Sequence, residues 1–435
     1  MLETLKNAWK NPRLRKKLIY TVAMLMLIRV GSGLLLPFLD AEGVKRLVSG
    51  QSENPFDTLN MITGGSLGYT VVLALGVTPY INATIILQLL GVVFPNSLGG
   101  LMREGEAGKQ KYERITRFTT LGLALVQGIA YFFYIKREGF LKADLSTGMV
   151  WFTAITLVLI LVAGALVTMW IGEQMTQKGI GNGVSLIIFS GILAQMPTMF
   201  YGLWKSFTAA LAAGATRQII GAPILFIIYF LMVIFVVYIT QAERRIPIEY
   251  SQRVVGRKMY GGQKSYLPFK VNMSGVIPVI FASSFLSIPT MIRYFVNLNP
   301  EGLLYKVLAW FDPNTVLYAV IYFLLIFLFN YFYTTVVTNP MEIANNLRKS
   351  NGSIRGIRPG KPTADYLSKV VSRITFMGGM FLGIVAVTPT IVGLITGLNF
   401  SMAGTSIIIL VGVAIETVKS LESQMMMRNY KGFLE

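Results

Sequence analysis

The chain is 435 residues long and 54% hydrophobic, with a mean hydropathy of +0.59 and only 14% charged residues. A soluble domain carries about 25% charge, so this composition excludes a water-soluble globular protein and leaves a polytopic membrane protein with room for roughly ten spans of ~20 residues. Cysteine and histidine are both absent, which removes disulfides, thiolate metal sites, the commonest metal ligand and the commonest general base. Metal- or histidine-based catalysis is therefore not expected, and neither is a cofactor. The net charge of +19 has to sit in the loops, where it meets anionic lipid, nucleic acid or an acidic partner.

Residues 1–17 carry Lys6, Lys10, Arg13, Arg15, Lys16 and Lys17 against Glu3. The first apolar run, about 18–37, contains Arg29 and is span-length, so it reads as a span and not as a cleavable signal. A polar loop with Asp40, Glu42, Glu53 and Asp57 follows. Residues 58–102 then carry no charge at all. The basic segment 103–117 (Arg103, Lys109, Lys111, Arg114, Arg117) belongs on the same side as the basic N-terminus. An odd number of spans must therefore separate it from the acidic loop. One full span at about 71–94, preceded by a short non-crossing segment at 58–69, meets that condition. Such a segment is tolerated at membrane depth only where protein or a watery cavity surrounds it; the other reading is an ordinary external loop.

Further spans are expected at about 115–135, 150–172, 183–201, 219–241, 272–292, 314–338, 367–390 and 401–420, giving ten in an all-α fold. Most of the basic residues then fall on the side of the N-terminus, and the positive-inside rule puts both termini in the cytoplasm. Two loops on that side stand out. Residues 242–271 hold Arg244, Arg245, Arg253, Arg257, Lys258, Lys264 and Lys270, and residues 339–366 hold Arg348, Lys349, Arg355, Arg358 and Lys361. A loop that only sets orientation has no need of such length, so both read as docking elements suited to phosphate or carboxylate partners.

Ten spans divide as five plus five, and an odd number forces the second half to enter from the opposite side, the inverted-repeat arrangement. Symmetry then pairs span 2 with span 7 and span 5 with span 10. Span 2 contains Gly76-Val77-Thr78-Pro79-Tyr80-Ile81 and span 7 Gly275-Val276-Ile277-Pro278-Val279-Ile280. Span 5 contains Gly183-Val184-Ser185-Leu186-Ile187-Ile188 and span 10 Gly404-Thr405-Ser406-Ile407-Ile408-Ile409. Glycine allows close helix approach and proline permits a kink. In each element an isoleucine lies five residues after the glycine: Ile81, Ile188, Ile280 and Ile409. Four such side chains around one axis make a dewetting constriction; ordinary helix packing gives the same spacing.

The segments LGVTPYINATIILQLL (75–90), EGEAGKQKYERITRF (104–118), WIGEQMTQKGIGNGVSLIIF (170–189), KVNMSGVIPVIFASS (270–284) and IRGIRPGKPT (354–363) resemble the SecY/Sec61-alpha family, the pore subunits of the Sec protein translocase. The resemblance covers essentially the whole chain. It implies two inverted five-helix halves, 1–201 and 219–435, joined by an external hinge loop at 202–218 and closing like a clamshell around an hourglass pore. The pore ring it implies is Val77, Ile81, Val184, Ile188, Ile280 and Ile409, with valine at two positions as a small departure. The segment 58–69 is implied to be the plug, through Asn60, Met61, Ile62, Gly64 and Gly65. The lateral gate, between spans 2 and 3 and spans 7 and 8, is implied to carry Asn82, Gln88, Gln127, Ser283 and Ser284. Arg257, Lys258 and Arg358 are implied to contact the SecA ATPase and the ribosome through its RNA.

The implied function is conduction of unfolded secretory chains across the bacterial plasma membrane and sideways release of transmembrane segments. The implied partners are the subunits SecE and SecG, signal sequences and nascent chains, with SecDF and YidC as further candidate associates. No Gly-Lys-Ser/Thr phosphate loop occurs, so energy has to come from partners. The competing class is an inverted-repeat secondary transporter, which needs ionisable groups at mid-membrane; only Arg29 and Glu416 qualify. An intramembrane hydrolase finds no histidine and no serine–lysine pair at depth.

Overall fold

Helix starts and stops follow local chemistry that the apolar background hides. The computed structural model describes residues 6, 8–38, 70–94, 98–101, 104–137, 139–141, 147–250, 253–255, 258–260, 264–295, 302–311, 315–396 and 404–431. Its helices are α1 (Pro12–Gly31), α2 (Thr78–Val93), a single turn α3 (Leu98–Leu101), α4 (Glu106–Arg137), α5 (Thr147–Lys178), α6 (Gly183–Ala213), α7 (Thr216–Gln241), α8 (Ile277–Phe295), α9 (Leu303–Ala309), α10 (Val316–Val337), α11 (Pro340–Lys349), α12 (Lys361–Thr396) and α13 (Gly404–Lys431). Setting aside α3, α9 and α11, ten helices follow the ten expected spans in order. Among the described residues seven helices are long and apolar enough to cross a membrane, while Thr78–Val93 and Ile277–Pro289 are apolar but shorter.

Side-chain caps open several helices. Asn182 Oδ1 accepts from the N–H groups of Val184 (3.0 Å) and Ser185 (3.3 Å) at the start of α6. Thr315 and Asn339 cap α10 and α11 in the same way; each satisfies donors the first turn leaves free. Two boundaries differ from expectation. Most of segment 202–218, expected as a loop, is helical: α6 runs on to Ala213, Gly214 takes a left-handed C-cap (φ 66°), and α7 begins at Thr216. Polar and aromatic residues such as Lys205 and Trp204 end the apolar stretch there, yet they are ordinary helix formers. The helices of spans 2 and 7 also begin later than expected, so the motif prolines Pro79 and Pro278 stand in first turns and not in mid-helix, while Pro289 lies inside α8.

The two long loops between α7 and α8 and between α10 and α12 fold together. Strand β1 (Glu243–Tyr250) pairs antiparallel with β4 (Lys264–Lys270) of its own loop and with β5 (Gly352–Ile354) of the other, giving the order β4-β1-β5. The register sets Ile246 opposite Leu267 and Ile248 opposite Ile354. Ile246 and Ile248 point to one face of β1, as period-two alternation requires. Ile246, Phe269 and Ile354 pack there with Leu367 and Val371 of α12 in a small apolar core. Between β1 and β4 in the chain, β2 (Arg253–Val255) pairs antiparallel with β3 (Lys258–Tyr260) as a two-stranded ribbon.

The largest apolar cluster draws on α1, α2, α5, α6, α7, α8, α10, α12 and α13. Outside it, Phe230, Leu231, Ile234 and Tyr238 along α7 are exposed. An exposed apolar belt of this kind suits a lipid environment, where helices associate through close packing and hydrogen bonds, with no hydrophobic drive between them.

Candidate pore cluster, gate seam and docking surface

All four repeat elements fall at helix starts. Gly76 (φ 52°) and Gly275 (φ 64°) adopt left-handed backbone just before α2 and α8, a conformation that costs other L-residues roughly 1–2 kcal/mol. Pro79 and Pro278 are each the second residue of the helix that follows, where the missing N–H breaks no bond. Gly183 and Gly404 are themselves the first residues of α6 and α13. A Cβ on Gly183 would strike the carbonyl oxygen of Gly172 and lie 2.6 Å from Met175 Cβ on α5. A Cβ on Gly404 would strike the carbonyl oxygen of Val385 and lie 2.7 Å from Ala386 Cα on α12. In both halves the motif glycine thus seats one helix on the backbone of the preceding one.

The six candidate pore residues lie in one apolar cluster. Val77, Ile188, Ile280 and Ile409 are buried in it, and Ile81 and Val184 pack against it partly exposed. They come from the start of α2, α6, α8 and α13. Helix α6 packs on both α7 and α13, and α7 packs on α13.

The seam residues stand on the three helices expected. Asn82 and Gln88 are half-buried on α2, Gln127 is half-buried on α4, and Ser283 (buried) and Ser284 (half-buried) are on α8. Helix α4 touches both α2 and α8. Ser283 donates to the Ile280 carbonyl at 2.9 Å. Asn82 Oδ1 is buried with no hydrogen-bond partner among the described residues, a cost of about 1–3 kcal/mol that a polar occupant of the seam would relieve.

Arg29 and Glu416 do not pair: Arg29 Nη2 donates to Ser190 Oγ on α6 at 3.0 Å. Among the described residues, a charge pair between helices that sequence reading missed is Arg117 with Glu173, joining α4 to α5 through two bonds, Nε–Oε1 at 3.1 Å and Nη2–Oε2 at 2.7 Å. Its members come from two of the diagnostic segments, 104–118 and 170–189, and nothing local marks residues on separate helices as partners. Arg117 is 49% exposed and Glu173 15%, so the pair is screened and of modest value. Glu173→Gln is expected to lower thermal stability by under ~1 kcal/mol, and the difference from wild type should vanish in ~1 M salt. A larger, salt-insensitive loss would show that Glu173 does more than pair.

Arg358 is exposed on the turn between β5 and α12. Gly356 (φ 77°) and Gly360 (φ 101°) set the turn, Ile357 packs on the apolar core below, and Thr363 Oγ1 donates to the Arg358 carbonyl at 2.8 Å. Arg348 and Arg355 share with Arg358 an open cleft of about 570 Å³ that also takes in Glu249 and Asn351. Lys258 opens β3. Arg257 lies outside the described residues, and so do the plug candidates Asn60, Met61, Ile62, Gly64 and Gly65.

This arrangement has the fold of the protein-conducting channels. The structure titled "The structure of a protein conducting channel" superposes with a TM-score of 0.65 at 19% identity, covering 94% of this chain and 92% of that one. "Sec61 in the Canine ribosome-channel complex from the endoplasmic reticulum" gives a TM-score of 0.62 at 18% identity, over 94% and 92% of the two chains. The SecY family model matches residues 71–418, and "Protein translocase subunit SecY" of Streptomyces galbus is 43% identical over 452 aligned positions that cover both chains completely. The chain belongs to the SecY family of protein translocase subunits.

Proposed function

We propose that the chain forms the pore of a bacterial protein translocase, with Val77, Ile81, Val184, Ile188, Ile280 and Ile409 as its seal. The observation that carries this reading is the gathering of those six side chains, from four helix starts in both halves of the chain, into one apolar cluster. Apolar side chains exclude water and ions by dewetting, yield around a passing chain and close behind it without charges to bind it. The halves 1–201 and 219–435 part along the seam of α4 against α8, and a signal sequence or transmembrane segment enters lipid there. Hydrogen bonds within membranes are worth only about 0.6 kcal/mol on average, so a polar seam parts readily. Residues 58–69 are the plug.

The chain is a multi-pass membrane protein. We place it in the bacterial plasma membrane with both termini in the cytoplasm, because the basic loops then face that side. The joined loops are the docking surface for SecA and for ribosomal RNA, with Arg257, Lys258 and Arg358 as contacts and SecE and SecG as companion subunits. A coupled transporter gains no support, since Arg29 and Glu416 do not meet.

The chain lacks native cysteine, so single cysteines report cleanly. Ile81→Cys is expected to crosslink to a secretory chain stalled in transit, while Phe230→Cys, on the exposed face of α7, stays unlabelled. Equal labelling at the two positions rules out the seal.

A further inference from the structure

The segments just ahead of the two left-handed glycines are clamped, and the clamps match between the halves. The Val271 N–H donates to the Ala242 carbonyl at 2.9 Å. Helix α12 approaches so closely that a Cβ on Gly378 would lie 2.7 Å from the Val271 carbonyl oxygen. Four residues before Gly76, as Val271 is before Gly275, the Val72 N–H donates to the Leu34 carbonyl at 2.8 Å, and a Cβ on Gly164 of α5 would strike the Val72 carbonyl oxygen.

The second half adds a polar tie. Asn272, Ser274 and Asn330 are all buried, Asn330 being only 2% exposed. The Ser274 hydroxyl donates to Asn330 Oδ1 and lies 3.4 Å from Asn272 Oδ1. Asn330 Nδ2 in turn donates to the Thr375 carbonyl of α12 at 2.8 Å, and the Asn330 carbonyl accepts from Thr334 Oγ1 at 2.8 Å. One amide on α10 therefore fastens the base of α8 to α10 and α12 together. Directly beyond that base stands Gly275, whose Cβ position has nothing within 4 Å. A fixed segment thus meets a helix through a single left-handed residue with free space around it. Ile280 lies five residues past this joint.

We propose that Gly275 is the pivot of the gate helix α8 and that Asn330 is the positioning residue that holds the pivot's base. The proposal rests on the reading of the α4–α8 seam as a lateral gate. Asn330 is not among the candidate pore or seam residues; it acts by confining the motion of α8 to Gly275, so that Ile280 and Ser283 return to the same place on closing. If the base slips, the seam and the seal close out of register. Passage of cargo, which needs the open state, is spared. The selectivity of closing is lost.

The test uses the full chain with its companion subunits in proteoliposomes and three readouts. These are export of a precursor with an intact signal, export of the same precursor with a charge placed in the signal's apolar core, and ion leak at rest. Asn330→Leu removes both side-chain bonds at similar volume. It is expected to raise resting leak and defective-signal export about eightfold each, the scale of two lost membrane hydrogen bonds at ~0.6 kcal/mol apiece, with intact-signal export within about twofold of wild type. Ser274→Ala is expected to act in the same direction and more weakly, and Ser274→Thr, which keeps the hydroxyl, to behave as wild type. Wild-type leak and discrimination in Asn330→Leu overturn the proposal. Should that variant fail to accumulate, wild-type behaviour of Ser274→Ala overturns it equally. Failure of the unmodified chain to export the intact precursor defeats the translocase reading itself, a separate outcome.

Discussion

Motor-driven export is expected to fall about tenfold or more in Arg358→Glu, equivalent to ~1.4 kcal/mol of lost docking, with the channel still folded. The reasons lie in the turn that carries it. Gly356 and Gly360 supply the two left-handed residues, and the bond that braces the turn runs from Thr363 to the Arg358 main-chain carbonyl, which glutamate keeps. The exposed side chain is left free to meet a partner. Reversing its charge replaces an attraction to carboxylate or phosphate with a repulsion, and like-charge contacts across an interface carry large penalties. Arg348→Glu and Arg355→Glu alter the same cleft and are expected to give smaller losses that add to it. ATP-driven import into vesicles, measured beside thermal stability, checks the set. Normal import in Arg358→Glu excludes the docking role.

Gly404→Leu is expected to do the greatest structural damage of any single change considered. The start of α13 rests on α12, and a side chain at Gly404 meets the Val385 carbonyl oxygen and Ala386 Cα, backbone atoms that cannot swing aside. Overpacking of this kind costs about 1–3 kcal/mol for a small addition and more when backbone has to move. Gly404→Ala should therefore destabilise clearly and Gly404→Leu prevent α13 from seating, with Gly183→Ala acting alike in the first half. Gly122 on α4 and Gly202 on α6 have nothing within 4 Å of a Cβ. Alanine at either is expected to be neutral or to stabilise by up to ~1 kcal/mol. Thermal denaturation of the purified channel orders the series; equal effects at Gly404 and Gly122 would falsify the seating argument.

The ten helices were legible because apolar length is a strong signal. The equivalence of the four glycine motifs was legible because their order and spacing obey an inverted repeat. Their structural role was not, since a Gly and a Pro inside an uninterrupted apolar run look like a kink. In the folded chain Pro79 and Pro278 stand in first turns. The signal that would have found this is proline's preference for the start of a helix. The sheet was partly written in β1: Ile246 and Ile248 alternate with Pro247 and Glu249, yet the partner β5 lies about a hundred residues on, beyond any local pattern. The clamp at Asn330 and the Arg117–Glu173 pair were invisible for the same reason. Each is made of single polar residues on different helices, and sequence spacing carries no information about which helices touch.

The shared strand β1 has a mechanical meaning. It is hydrogen-bonded to β4 on one side and to β5 on the other; β1 itself follows α7, β4 leads into α8, and β5 is joined through α11 and the Arg358 turn to α10 and α12. A push on Arg358 is not absorbed by bending a loop. It is distributed over four helix ends at once, all of them in the second half of the chain. On the docking reading proposed above, a partner that grips this platform would hold the second half as a stator, and a parting of the two halves would become motion of the first half relative to that partner.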